Sequence, residues 1–278
     1  MFICLNGKIL RAEDPVLLAS NRGYRYGDAL FETMKVASKN ILLEAYHFER
    51  LFAGLRLLQF EVPKLLTREK LCKEVLLLAE KNHCGNLARI RLSVFRGNGG
   101  VYDEERTPQY LIECWPLNES LNRLNENGLI IDVFPAARKS CDSFSHLKSA
   151  NYLPYTMAAI YAKANKLNDC LVLNTDGNIA DATIANVFLI KEGVVITPGP
   201  DQGCVNGVMR RHLLEKMKDA GYSIQENPVS VSTLEEADEV FLTNAISGIR
   251  WVKQFRDNVY SNNLTVEIYN RFIKTIPA

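Results

Sequence analysis

Apolar positions along the first 120 residues alternate between strand-like and helix-like spacing. The opening stretch MFICLNGKILRAED reads as an edge hairpin with Asn6-Gly7 as its turn. FETMKVAS (31–38) has strand character. EAYHFERLFAGLRLLQF (44–60) places Leu51, Leu55 and Leu58 along one face of a helix. A second helix is expected from about Thr67 to Lys81, with Thr67 as N-cap, although Lys70 stands where a capping box carries Glu. ARIRLSVFRG (88–97) and QYLIECW (109–115) read as two long strands around a Gly-rich turn.

The polar segment 115–128, with its proline and repeated asparagines, marks a linker. It divides the chain into a small N-terminal domain (1–117), a linker (118–127) and a larger C-terminal domain (128–278). The larger domain opens with a strand at 128–134. A helix follows at 151–167, in which Pro154 is tolerable only near the first turn. Residues 169–199 form a run of strands with tight turns at Asp176-Gly177 and Glu192-Gly193. A helix at 207–221 is closed by Gly221, 239–252 reads strand–turn–strand, and an amphipathic helix ends the chain. Strands and helices mix without regular βαβ alternation and without internal repeats, so the expected class is α+β in two domains.

Composition narrows the function classes. Hydrophobic residues make up 47% of the 278 and charged residues 23%, values of an ordinary globular chain with a proper core. A net charge near +1 argues against nucleic acid or an acidic membrane as partner. No run approaches the roughly 20 apolar residues of a membrane span, and the N-terminus is too short and polar for a signal peptide. The seven scattered cysteines lack C-x-x-C or His/Cys ligand spacing, so they read as reduced thiols of a cytoplasmic protein with no metal site. Gly97-Asn98-Gly99-Gly100 fails as a dinucleotide loop: no helix opens after it, and Asp103, Glu104 and Glu105 would repel a phosphate.

Four local features carry candidate chemistry. Lys148, in SHLKSANYLP, lies between strand material and a helix start among small and aromatic residues, a setting in which burial favours a neutral, nucleophilic amine. Asp181, in GNIADATIANVF, is a carboxylate in strand context, suited to pairing with a protonated pyridine nitrogen. Val205-Asn206-Gly207-Val208-Met209-Arg210 begins a helix whose first N–H groups can receive a phosphate. Arg50, in HFERL, lies beside the apolar face of its helix and is suited to a bidentate phosphate grip. Each has an ordinary reading too: a surface lysine, a turn-edge aspartate, a plain helix start, a solvated helix arginine. Together they point to pyridoxal 5'-phosphate (PLP).

The ordered set RGYRYGDALFET, HFERL, LKSANYL, DATIANVF, VNGVMR and EVFLTNA resembles the fold-type IV (class IV) PLP enzymes. These include branched-chain aminotransferases, D-amino-acid aminotransferases and 4-amino-4-deoxychorismate lyases. The resemblance implies a two-domain, D-amino-acid aminotransferase-like fold with the active site between the domains, a small-molecule amino substrate, and a homodimer whose partner subunit helps line the site. By resemblance Lys148 is the Schiff-base lysine and acid/base. Arg50, Val208, Met209 and the Asn244 turn belong to the phosphate, with Gly207 beside them. Val205 lies under the ring and Tyr152 matches the tyrosine at the ring hydroxyl, one residue closer to the lysine than in branched-chain enzymes. Asp181 stands where the family usually has Glu, keeping the charge with one methylene less reach.

The branch is read from fewer residues. DQGCVNGVMRRHL, Asn244-Ala245 and the R-G-N-G-G turn that includes Arg96 resemble the lyases, which form 4-aminobenzoate and pyruvate in folate synthesis. Phe31 replaces the tyrosine of D-amino-acid aminotransferases. NYLP and Arg91 resemble the branched-chain enzymes, and Arg91 suits a substrate carboxylate or an ion pair with a neighbouring Glu. The expectation is a lyase with Phe31, Arg91 and Arg96 at the substrate. The alternatives are a branched-chain or D-amino-acid aminotransferase and, behind both, a non-catalytic PLP-binding member.

Overall fold

The computed structural model describes residues 1–277, which form two compact units. The first comprises residues 1–119 and 148–151 with Pro277; the second comprises residues 120–147 and 152–276. Lys148 thus belongs with the N-terminal unit although it is distant from it in sequence.

In the first unit the elements run β1 (Phe2–Leu5), β2 (Lys8–Arg11), α1 (Arg22–Tyr26), β3 (Ala29–Ala37), β4 (Asn40–Ile41), α2 (Glu44–Leu57), α3 (Arg68–Lys81), β5 (Leu87–Arg96) and β6 (Pro108–Pro116). They build a six-stranded sheet in the order β2-β1-β6-β5-β3-β4, antiparallel throughout. Leu5 pairs with Lys8 across the Asn6-Gly7 turn, as the sequence predicts. Thr67 caps α3 by accepting from Lys70 N–H. Alternation along β5 buries Ala88, Ile90, Leu92 and Val94 and leaves Arg89, Arg91 and Ser93 on the less covered face. Residues 148–151 lie along the start of β3: Phe31 N–H donates to the Lys148 carbonyl (2.9 Å) and Ala150 N–H to the Ala29 carbonyl (2.9 Å).

The second unit contains β7 (Leu129–Lys139), α4 (Leu153–Ala164), β8 (Asp169–Asn174), β9 (Ile179–Ala182), β10 (Asn186–Lys191), β11 (Val194–Thr197), α5 (Val208–Asp219), β12 (Ile224–Glu226), α6 (Val231–Glu235), β13 (Glu239–Asn244), β14 (Gly248–Phe255), β15 (Asn258–Val259) and α7 (Asn263–Ile268). Its mixed sheet runs β12-β11-β10-β13-β14-β7-β8-β9, with β15 on β14. The pairs β14–β7, β7–β8 and β11–β12 are parallel. The final helix is shorter than the amphipathic pattern suggested: α7 ends at Ile268 and Tyr269–Ile273 continue as a wider π turn.

β8 is buried along its whole length, and its alternation separates two cores. Leu171 and Leu173 join Ile131, Ile179, Ala182 and Leu189 on one face, whereas Cys170 and Val172 pack with Phe134 under Tyr155, Ala158 and Ala162 of α4. β7 carries an irregularity between Val133, opposite Leu171, and Arg138, opposite Leu173. Five residues advance on β7 for two on β8, and the odd excess of three inverts the parity of the strand. Val133 faces the first core, but Lys139, opposite Asn174, emerges on the α4 face. Asp181, opposite Val172, shares that face.

Among the described residues no helix is long and apolar enough to cross a membrane. On β10 and β13, Phe188 and Phe241 are fully buried and stack face to face, with ring centroids 4.9 Å apart. Phe188→Ala is expected to lower stability by about 3–5 kcal/mol. In urea unfolding this should appear as a lower midpoint with an unchanged slope.

Candidate active site

In the first unit the site is assembled on β3. The register of residues 148–151 places Lys148 at Phe31, with Nζ 4.4 Å from the ring centroid. Arg91 lies over the same ring, 3.8 Å from its centroid, and its Nε is 4.0 Å from Glu113 on β6. An aromatic ring thus sits beside two cations, each favoured by the ring quadrupole. Glu32, the next residue of β3, points to the opposite, helix-covered face. There Arg50 of α2 grips it with a fork, Nε to Oε1 at 2.8 Å and NH2 to Oε2 at 2.5 Å, and His47 Nδ1 donates to Oε2 at 2.6 Å.

Burial by itself would raise the Glu32 carboxyl, but Arg50 and His47 outweigh it and hold it at about 2. Burial pushes His47 below the usual histidine value, and the charges of Arg50 and Lys148 act in the same direction against the partial compensation from Glu32. The neutral imidazole therefore carries its proton on Nδ1.

Arg96 NH1 binds Asp28 Oδ1 at 2.5 Å, NH2 donates to the Leu58 carbonyl, and the guanidinium lies over Phe60. Arg22 NH2 reaches the other oxygen of Asp28 at 3.1 Å, and Arg22 NH1 holds the Asp103 carbonyl at 2.9 Å. Arg96, expected at the substrate, here braces the Asp28 turn at the base of the loop that follows β5.

In the second unit the centre is Asp181, buried on β9. Its Oδ2 accepts from Lys139 Nζ (3.2 Å), Tyr155 OH (2.8 Å) and Val205 N–H (2.9 Å), and its Oδ1 from Asn186 Nδ2 (3.0 Å). The Asn186 amide also donates to the Val205 carbonyl at 2.7 Å, and its oxygen lies where a Cβ on Gly207 would have to go. Gly207 is the N-cap of α5 and offers no side-chain cap, so the first N–H groups of a 12-residue helix, those of Val208 and Met209, start beside the Asp181 network. Asn244 stabilises the β13–β14 turn by accepting from Ile246 and Ser247 N–H (3.0 and 2.8 Å). Tyr152 donates to the Thr183 carbonyl at 2.8 Å, and its ring lies 4.6 Å from that of Tyr155.

The sequence reading missed Glu32, Lys139, Tyr155 and Asn186. Glu32, a lone carboxylate in an apolar strand, and Asn186, five residues after Asp181, carried a signal in their burial pattern. Lys139 and Tyr155 carried none without the strand parity.

The residues suit PLP. They include an amine beside an aromatic ring, a forked arginine, a buried carboxylate and an uncapped helix N-terminus, the kinds of group that such a cofactor needs. The fold and the cofactor are those of the fold-type IV PLP enzymes. A family model described as amino-transferase class IV matches residues 29–255, and the chain belongs to that PLP-dependent family. An aminodeoxychorismate lyase of Bacillus subtilis is 32% identical over 253 residues, covering 88% of this chain and 83% of that protein. A putative branched-chain-amino-acid aminotransferase of Methanocaldococcus jannaschii is 28% identical over 270 residues, covering 96% and 92%. The crystal structure of a branched-chain aminotransferase from Thermoproteus uzoniensis shares the fold, with TM-score 0.88 over 99% of this chain and 94% of that one at 21% identity. Homologues are named for both reactions, lyase and aminotransferase.

Glu32 and His47 make the first unit sensitive to acid. The native Glu32 carboxyl at about 2 lies below its unfolded value near 4.3, so its stabilisation is present above that value and is lost as pH falls towards 2. Native His47 lies below its unfolded value near 6.5, so the unfolded chain gains a proton first and stability again falls with pH. Glu32→Gln is expected to cost about 3–5 kcal/mol at neutral pH by breaking a buried pair. It should also flatten the decline of stability below pH 5, measured by unfolding across pH.

Proposed function

We propose that the protein is a PLP-dependent 4-amino-4-deoxychorismate lyase that forms 4-aminobenzoate and pyruvate. The observation that carries this reading is the Lys148–Phe31–Arg91 arrangement. A flat apolar wall beside the amine suits a carbocyclic substrate, and a guanidinium on the same ring suits its carboxylate. The 32% identity to the B. subtilis lyase and the R-G-N-G-G turn support the same branch.

In this reading Lys148 anchors PLP, and Arg50, Gly207, Val208, Met209 and the Asn244 turn hold its phosphate. Glu32 fixes the Nε/NH2 edge of Arg50 and thereby sets the orientation of the guanidinium. Asp181 faces the ring nitrogen, Tyr152 the ring hydroxyl and Val205 the ring face. Bound PLP supplies an electron sink for the carbon that bears the substrate amine. Once the substrate amine has taken its place, the freed Lys148 Nζ would take the proton from that carbon, the C–O bond to the enolpyruvyl group would break as the ring becomes aromatic, and the departing enolate would take up a proton and ketonise to pyruvate.

The second reading, a branched-chain or D-amino-acid aminotransferase, is favoured by the longer match to the M. jannaschii protein. There the same Lys148 amine would move the proton, and a keto acid would leave.

The deciding experiment supplies PLP-loaded protein with enzymatically made 4-amino-4-deoxychorismate. Equal amounts of 4-aminobenzoate and pyruvate, abolished in Lys148→Ala, are expected. No product from loaded protein overturns the lyase, and keto-acid formation from amino donors with 2-oxoglutarate or pyruvate would establish the aminotransferase. Neither activity from PLP-loaded protein would leave the non-catalytic reading.

A homodimer is part of the proposal. On α4, Leu153, Met157 and Ile160 are exposed on one helical face while Tyr155, Ala158 and Ala162 are buried on the other, and Ile184 is exposed as well. An apolar stripe of this kind suits contact with a second copy. Sedimentation should show a dimer, and Met157→Glu with Ile160→Lys should convert it to monomer.

A further inference from the structure

Asp181 is one methylene shorter than the glutamate of the resembling family, and the structure shows what surrounds the shorter carboxylate. Three donors converge on Oδ2, from Lys139, Tyr155 and Val205. Oδ1 accepts only from Asn186 among the described hydrogen bonds, so acceptor capacity remains on that oxygen. The Lys139–Asp181 pair is nearly dry, with side chains 13% and 4% exposed. Lys139 reaches it through the three-residue excess in β7, which turns an odd-numbered position from one core to the other.

Asp181 is packed by β7, α4, β10 and the segment before α5, and the titratable groups they present are Lys139, Tyr155 and Cys204. Burial, together with the Asp181 charge, pushes the Tyr155 phenol well up and the Cys204 thiol up to about 12. Both are therefore neutral at physiological pH, and Arg210 acts on Cys204 from further along α5. Lys139 is the cation in direct contact with the carboxylate.

We propose that Lys139 is a positioning residue that neutralises Asp181 and so weakens the hold of this site on a proton at the cofactor's ring nitrogen. The proposal rests on the assignment of Asp181 to that nitrogen. A lone buried carboxylate would stabilise a pyridinium, whereas a carboxylate already paired with an ammonium presents little net charge. The short Asp181 side chain and Lys139 are then one device. Oδ1 can accept a hydrogen bond from the ring nitrogen only while that nitrogen is protonated, and the smaller protonated fraction makes the electron sink milder than an unpaired acid would make it.

The test is nitrogen-15 NMR of protein loaded with PLP labelled at the ring nitrogen, across pH, in the wild type, Lys139→Arg and Lys139→Met. In the wild type at neutral pH the resonance should lie nearer neutral pyridine than pyridinium. Lys139→Arg should resemble it, and Lys139→Met should move the resonance towards pyridinium, with proton affinity raised about tenfold or more. A wild-type resonance at the pyridinium position, or identical titrations in wild type and Lys139→Met, overturns the proposal. If Lys139→Met does not fold or load, the wild-type resonance alone decides. Failure of the wild type to retain PLP would instead overturn the cofactor assignments on which the proposal stands, an outcome distinct from a bound but unshifted nitrogen.

Discussion

A buried carboxylate on a sheet has no water to solvate it, so the protein must supply every partner, and here the partners come from different elements. Asp181 is such a group. Lys139 on β7, Tyr155 on α4, Asn186 on β10 and the Val205 backbone before α5 all converge on it. Satisfying this one side chain ties the bulge of β7 to the helix across its face and sets the chain entering α5. Because Asn186 also holds the Val205 carbonyl and lies against Gly207, the start of that helix is placed by the same network. The helix N-terminus proposed for the phosphate and the carboxylate proposed for the ring nitrogen are thus positioned together.

The first unit repeats the solution with a different balance. Glu32 is as buried as Asp181, but its partners are a bidentate arginine and a histidine at 2.6 Å. A guanidinium fork keeps Glu32 strongly ionised. At Asp181 burial instead prevails, raising the carboxyl despite Lys139. Glu32 also shows how one strand serves two purposes by alternation. Its neighbour Phe31 faces the other side, where it meets Lys148 and Arg91, while Glu32 orients Arg50 beneath the sheet. One strand thus carries both the ring beside Lys148 and the carboxylate that orients the arginine proposed for the phosphate.

Much of this was legible along the chain. The Asn6-Gly7 hairpin, the Thr67 cap and the helix over Val208–Asp219 follow from local rules and were found where those rules put them. Lys148, Asp181 and Arg50 stood out because an amine, a carboxylate and an arginine occurred in small, aromatic or apolar surroundings. Arg96 illustrates the opposite case. Its place in the R-G-N-G-G turn suggested a substrate contact, but the fold brings Asp28, Leu58 and Phe60 against it. The distant residues that meet an arginine are not written in its local motif. The last helix also departs from its pattern, since a regular apolar repeat does not reveal that the turn widens after Ile268.

What the sequence determined by itself was the set of elements, their order and the chemically able residues on them, because periodicity, caps and turn preferences act over a few neighbouring residues. What only the tertiary structure decided was which of those residues face one another. Lys139 and Asp181 are 42 positions apart and Tyr155 and Asp181 are 26 apart. Their meeting depends on strand register and on the odd count of residues in the β7 irregularity. A change of one residue in that count would send the ammonium to the opposite core, and no local preference along the chain records that parity.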